Sequence, residues 1–333
     1  MEIIKDVAYI QPYHSRVYDE YFDGLKVCVM DIETTGLNPN RSQVILGGLL
    51  VPEEECADVV QYFADREDSE KNLLKAYGDA LSSADVLITY NGSSFDLPFM
   101  RQRFRYRGLD YPLNHIQSFD LYRALHYYSK MREILPNLKQ KSIEIFLGLS
   151  PLRQDEISGG ESVALYEEYL HSGSPASKQK VLLHNRDDLV QLASIVRILE
   201  KLDLHRILFY EGFTVTSGDK RAYVKSMTLT NKVFTITADT ENMSLDYYSF
   251  ETGYQAIHKA EERKLTVTIP FERRHGADFV DLESIDADFS QLLRYPSYES
   301  GYLILREKGK MNYAEVNKAV RIILGMILEA IMV

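Results

Sequence analysis

The chain has 333 residues, of which 45% are hydrophobic and 26% charged, with ordinary glycine and proline content. This leaves room for one large or two ordinary domains with a sizeable core, and excludes disordered, collagen-like and small disulfide-stapled classes. The net charge of -11 argues against a protein that coats nucleic acid with basic surface, because lysines and arginines must replace phosphate counterions there; it leaves open both a chain that binds no nucleic acid and a site built from carboxylates and served by local basic patches.

From the N-terminus, MEIIKDVAYIQPYHSR lacks the basic-then-apolar layout of a secretory signal. Leu25–Ile32 (LKVCVMDI) is a buried strand by its aliphatic and β-branched content, and Cys28 within it reads as a small buried hydrophobe. With only Cys28 and Cys56, one bridge at most can form, so no disulfide framework is expected and a reducing cytoplasm is. Gln43–Val51 and Asp58–Phe63 follow as strands across short turns, which predicts antiparallel neighbours. Ser69–Leu81 has helical periodicity. Val86–Tyr90 (VLITY) is another buried strand and runs into the turn NGSS; Leu97–Tyr106 is a helix with Arg101, Arg103 and Arg105 on it, and Ile116–Phe119 is a last strand. From Leu121 to Leu204 the pattern is almost wholly helical, ending in a long helix over Lys178–Lys201.

Beyond residue 205 the character changes. Ala222–Leu229, Lys232–Ala238, Lys264–Phe271 and Tyr302–Arg306 read as strands, and Met311–Met332 as a closing helix. No run is apolar for long enough to span a bilayer, since Ile322–Leu328 is ended by Glu329. Residues 206–333 carry 16 Lys+Arg against 18 Asp+Glu, so the acidity lies mostly in residues 1–205. The boundary is placed at 205, with a domain of mixed strands and helices before it and a β-rich α+β domain of open role after it.

Four acidic positions stand where chemistry would need them. Asp31 and Glu33 are two apart at the end of a strand and therefore share a face. Side by side they repel unless cations lie between them, and the turn Thr34-Thr35-Gly36 leaves them open. Asp96 opens the helix after VLITY-NGSSF, where it also suits a helix N-terminus. His184 and Asp188 are one turn apart on a helix, whereas Asp187 is rotated away by about 100°. Carboxylate oxygens suit Mg²⁺ or Mn²⁺, two such ions serve phosphodiester hydrolysis, and His184 at that site suits a general base. The pairs Gly47-Gly48 and Gly159-Gly160 form no phosphate-binding fingerprint.

DIETTGL (Asp31–Leu37), YNGSSFDLPFM (Tyr90–Met100) and HNRDDL (His184–Leu189), in this order, resemble the three motifs of the DEDD exonuclease superfamily. The match is closer to its YprB-like branch of RNase H-like proteins, through LKQKSIEIFLGL and RQDEISGGESVALYEEYL as well, over about residues 22–204. The resemblance implies an RNase H-like mixed five-stranded sheet flanked by helices with a helical insert. It further implies two-metal hydrolysis (Mg²⁺ or Mn²⁺) with Asp31, Glu33, Asp96 and Asp188 as metal ligands, and release of nucleotides from a 3′ end of DNA or RNA. The spacing His184 to Asp188 departs from the pattern: it is the one more typical of members with tyrosine in the third motif.

For substrate contacts the residues near these motifs are Thr34, Asn91, Phe95, Arg101, Lys139 and Lys141, with Arg103 and Arg153 as further phosphate candidates; each of the cations also suits ordinary surface charge. Tyr90 and Phe95 suit base stacking or core packing. Asp120 suits either support of the site or capping of the next helix. Three functions share these residues: an exonuclease, a structure-selective endonuclease, and a binding module without catalysis.

Overall fold

The computed structural model describes residues 1–111, 113–149, 153–155 and 157–331. It divides into two compact units, Met1–Leu202 and Asp203–Val333. In the first, β1 (Glu2–Ala8), α1 (Arg16–Phe22), β2 (Val27–Thr34), β3 (Val44–Pro52), β4 (Ala57–Phe63), α2 (Glu70–Leu81), β5 (Val86–Thr89), α3 (Asp96–Arg107) and β6 (Gln117–Asp120) alternate. The helices α4 (Leu121–Tyr128), α5 (Met131–Ile134), α6 (Gln140–Phe146), α7 (Gly159–Ser172) and α8 (Pro175–Ile195) follow. The sheet runs β1-β4-β3-β2-β5-β6. Short connections make β2, β3 and β4 antiparallel, β1 pairs antiparallel with β4 from far along the chain, and the intervening helices make β5 and β6 parallel to β2, as a chain that crosses over through a helix must.

This is a mixed α/β fold with a mixed sheet flanked by helices, and the sheet has six strands rather than five. The added strand is β1, an outer strand paired with β4. Its sequence EIIKDVA is mostly exposed or half-buried and carries neither a continuous apolar run nor a clean alternation, so its pairing arises from the free edge of β4. The long helix is shorter than its periodicity predicts: α8 stops at Ile195 and passes into a 3-10 segment, Val196–Lys201.

Alternation in β2 directs its two sides to different neighbours. Met30 and Ile32 join a buried cluster with Leu73, Leu74 and Tyr77 of α2 and with Phe99 and Met100 of α3. Asp31 and Glu33 turn instead toward α8. The pair Gly47-Gly48, in the middle of β3, is accounted for by this layering. A Cβ on Gly47 would meet the Tyr77 ring at 2.6 Å, and one on Gly48 would meet Asn185 Oδ1 at 2.3 Å and Leu189 Cδ1 at 2.7 Å. The absence of side chains lets one helix on each face lie against the strand.

The second unit begins with α9 (Leu204–Glu211). It holds a six-stranded antiparallel sheet from β7 (Thr214–Ser217), β8 (Lys220–Thr230), β9 (Val233–Glu241), β10 (Tyr247–Phe250), β11 (Gln255–Lys259) and β12 (Lys264–Pro270), in the order β10-β11-β12-β9-β8-β7. A smaller sheet from residues 272–311 follows, and α10 (Tyr313–Ala330) closes the unit. The final predicted helical residue, Met332, lies outside the described residues. Among the described residues no helix is long and apolar enough to cross a membrane.

Candidate active site

The end of β2, the start of α3 and the middle of α8 meet at one cleft of about 720 Å³, lined by Asp31, Glu33, Asp96, His184 and Asp188. Three local features aim these side chains. A β-bulge between Glu33 and Thr34 interrupts the pairing of β2 with β3, and such kinks re-aim side chains at strand ends. Asn91 adopts φ 65°, in the left-handed region that asparagine tolerates. Asp120 braces that turn by accepting from Asn91 N (2.9 Å) and Ser93 N (3.0 Å), while also capping α4 through Tyr122 N (3.0 Å). Asp120 thus caps α4 and at the same time holds the turn that leads to Asp96. Asp96 lies in the first turn of α3, where the positive end of the helix dipole favours an anion, and its Oδ1 accepts from Ile32 N at 3.2 Å.

The acidic groups are close, two of them buried and Asp31 and Asp188 half-buried. Glu33 is 7% and Asp96 6% exposed. Burial, followed by the neighbouring Asp96, Asp188 and Glu33, holds the Asp31 carboxyl well above its ordinary value. Burial likewise pushes Glu33 and Asp96 up to about 7. Asp188 is raised by burial too, against the opposing pull of His184 and Arg153. Such a set is favoured by desolvation and mutual repulsion to hold protons or cations rather than stand bare. His184 Nε2 is 3.5 Å from Glu33 Oε1 and 3.7 Å from Asp188 Oδ2, and Glu33, His184 and Asp188 offer ligand atoms all within 4.8 Å of one another.

Residues that pattern reading did not single out hold this set in place. Asn185, inside the HNRDDL string, donates to Asp31 Oδ2 at 2.8 Å and receives from Gln61 Nε2 at 2.9 Å. Tyr77 Oη donates to the Gly48 carbonyl at 2.7 Å, beneath the same strand pair. Asp187, rotated away from the cleft as expected, accepts from the backbone N–H of Gln154 (2.5 Å) and Asp155 (2.8 Å). The sequence signal for Asn185 was its neighbour His184; Asp155 had only its place in RQDE.

The substrate candidates divide. Thr34, Asn91, Phe95, Lys139 and Lys141 line the cleft. Thr34 Oγ1 also donates to the Gly36 carbonyl at 2.9 Å, and Lys141 Nζ donates to the Ile157 carbonyl at 3.2 Å. Arg101 is exposed on α3 and stands outside that lining, because the start of α3 faces the cleft through Asp96 and position 101 lies more than a turn further on. Arg103 is corrected as a phosphate candidate: it is 3% exposed and donates from Nε and Nη2 to the two oxygens of buried Glu70 at 2.7 and 2.6 Å. Arg153 is corrected likewise. Its guanidinium reaches Glu144 Oε1 (2.7 Å), Asp188 Oδ1 (2.6 Å) and Asp155 Oδ2, and its side chain is only 8% exposed. Glu70 occupies the one guanidinium and three carboxylates the other, which leaves neither turned to phosphate. The rim also includes Leu37, 84% exposed, and Ser158, Gly159 and Gly160 at the start of α7.

An uncharacterized protein of Methanocaldococcus jannaschii is 25% identical to the chain over 181 residues, 51% of this chain and 93% of its own length. The structure of the family B DNA polymerase from Pyrobaculum calidifontis is similar with 16% identity and a TM-score of 0.41, over 53% of this chain and 24% of that one. Exonuclease I of E. coli in complex with a dT13 oligonucleotide is similar with 12% identity and a TM-score of 0.35, over 64% of this chain and 55% of that one. The chain thus spans about a quarter of the polymerase and just over half of the exonuclease. The RNase_H superfamily model matches residues 28–200, more than half of the chain and all but the first residue of the stretch from β2 to α8, and the protein belongs to that superfamily.

Proposed function

We propose that the protein is a divalent-metal-dependent nuclease that hydrolyses phosphodiester bonds of DNA or RNA, acting as a 3′–5′ exonuclease of the DEDD type and YprB-like branch. One observation carries the reading: carboxylates from three distant stretches, Asp31 and Glu33, Asp96, and Asp188, line a single cleft, where His184 and Arg153 offset their charge only in part. Fold alone would not carry it, since one fold hosts many activities. The donor set fits hard cations, because it is almost entirely carboxylate oxygen in a mutually repulsive arrangement. When bound, a pair of Mg²⁺ or Mn²⁺ ions supplies an activated water and stabilises the departing oxygen.

The chain's own residues do the rest. Asn185 fixes the rotamer of Asp31 through its hydrogen bond. Glu33, Asp96 and Asp188 hold their places through the bulge, the α3 N-terminus and Arg153 respectively. His184, with Nε2 turned to Glu33 and Asp188, takes a proton as general base. Lys139 and Lys141 meet phosphate, and Leu37, Tyr90 and Phe95 offer apolar or aromatic contact to bases of a single strand. The test is degradation of end-labelled DNA and RNA in Mn²⁺ or Mg²⁺, beside circular and 3′-blocked substrates. Mononucleotide release from free 3′ ends alone is the expected result. Cleavage of circles would transfer the site to an endonuclease, and no cleavage of any substrate would leave a binding module.

A second expectation follows from the raised carboxyls. Glu33 and Asp96 titrate near 7 in the fold against ordinary values of 4.5 and 3.8. The folded state therefore keeps protons that the unfolded state gives up. Their contribution is fully favourable below those ordinary values and is lost as pH rises through about 7. In chelator, the protein should melt at a lower temperature at pH 8 than at pH 6. Millimolar Mn²⁺ should restore the pH 8 value, since an ion that binds only the native state stabilises it by mass action. A melting temperature at pH 8 that does not respond to divalent ions would count against the metal site.

A further inference from the structure

We infer that Asp155 is a positioning residue that acts through His184: it accepts from Nδ1 and so presents Nε2, with its lone pair free, to the cleft between Glu33 and Asp188. The inference rests on the nuclease reading above for its kinetic consequence, but its structural statement stands apart from that reading. The His184 imidazole is buried, and its two nitrogens face opposite ways. Nε2 has Glu33 Oε1 at 3.5 Å and Asp188 Oδ2 at 3.7 Å, while Nδ1 has Asp155 Oδ2 at 3.1 Å. This last contact lies off the ideal hydrogen-bond line, and the buried Nδ1 has no other partner among the described residues. A neutral imidazole has one N–H, and the nearer acceptor draws it: Asp155 stands at hydrogen-bond distance from Nδ1, whereas Glu33 and Asp188 lie further from Nε2. An ionised carboxylate is an acceptor only. Against the opposing effect of burial, the neighbouring His184 ring and Arg153 guanidinium hold the Asp155 carboxyl below its ordinary range, and its side chain is 1% exposed.

Asp155 is also held more rigidly than a loop residue ordinarily is. Its Oδ1 accepts from Ile157 N at 3.0 Å, and its Oδ2 takes Arg153 Nη1. Its backbone N–H donates to Asp187 Oδ2 at 2.8 Å. Asp187 stands three residues after His184 on α8, so one helix carries both the imidazole and the anchor of the segment that orients it. Arg153 closes the circuit by bonding Asp188 Oδ1 at 2.6 Å and Glu144 at 2.7 Å. A carboxylate behind a histidine fixes both its tautomer and its ring orientation.

The experiment is a double-mutant cycle on the full chain in Mn²⁺, joined to ¹⁵N NMR of the histidine rings in diamagnetic Mg²⁺. Asp155→Asn should lower kcat by about 10–100-fold with KM nearly unchanged. In a His184→Ala background the same change should cost less than about 2-fold, because residues acting as a unit are not additive. Asp155→Glu, which restores the charge, should recover part of the loss. Equal losses in both backgrounds would mean that Asp155 serves the fold alone and would overturn the inference. In the wild-type spectrum His184 should be protonated at Nδ1 and bare at Nε2. An Nε2–H tautomer would overturn it without any variant having to fold. Should the wild type cleave nothing, the nuclease reading falls, and the tautomer still decides what Asp155 does.

Discussion

Asp31→Asn is expected to lower cleavage by about 10³-fold or more while raising the melting temperature of the metal-free protein. The loss follows because a carboxylate that holds a catalytic cation contributes several kcal/mol to the transition state, at about 1.4 kcal/mol per tenfold in rate. The gain in stability follows from the same chemistry with opposite sign. Burial and three neighbouring carboxylates penalise ionised Asp31 in the fold, and a neutral side chain of the same shape removes that penalty while still accepting from Asn185 Nδ2. In saturating Mn²⁺ the order should reverse, with the wild type the more stable, because its site then pays back the repulsion in binding. Parallel melts in chelator and in Mn²⁺, beside single-turnover cleavage, check all three. Full activity of the variant would remove Asp31 from the catalytic set.

Glu70→Ala is expected to destabilise the first unit by about 3–5 kcal/mol, the range for removing one partner of a buried ion pair. Glu70 is 0% and Arg103 3% exposed. The carboxylate receives Arg103 at 2.7 and 2.6 Å, Arg107 at 2.7 Å and Val44 N at 3.0 Å, and Arg103 Nη1 continues to the Pro39 carbonyl at 2.8 Å. The pair thus ties α2 and α3 to the segment that follows the Asp31–Glu33 strand end. The cost arises because truncating Glu70 strands a guanidinium in a dry interior; it is not the strength of the attraction itself. Replacing both partners with apolar residues, Glu70→Leu with Arg103→Met, should therefore recover much of the loss. Hydrogen exchange across β3 and α2 reads the effect locally. A double variant as unstable as the sum of the two single ones would contradict this account.

The residues that carry the candidate site differ in how far they can be read without coordinates. Asp31 and Glu33 are legible because a period of two puts them on one face at the end of an apolar strand. His184 and Asp188 are legible because i and i+4 meet on a helix. Arg103 and Arg153 are not. Each is a cation in a polar-looking string, and whether it faces phosphate or a buried carboxylate depends on partners such as Glu70 and Glu144 that only packing brings within reach. The short strand β1 escapes for a related reason: an edge strand needs no apolar face of its own when a neighbour supplies the hydrogen bonds.

Local periodicity was enough to mark most strands and helices and the residues worth testing, and the resemblance carried by three acidic strings in order implied the α/β class with its mixed sheet. Those signals are written within a few residues of one another, where backbone geometry alone sets which side chains share a face. Tertiary structure decided which cations are spent inside the protein, which glycines admit a helix against the sheet, and that Asp155 stands behind His184. These depend on contacts between segments tens of residues apart, whose partners are chosen by the packing of whole layers rather than by any local preference.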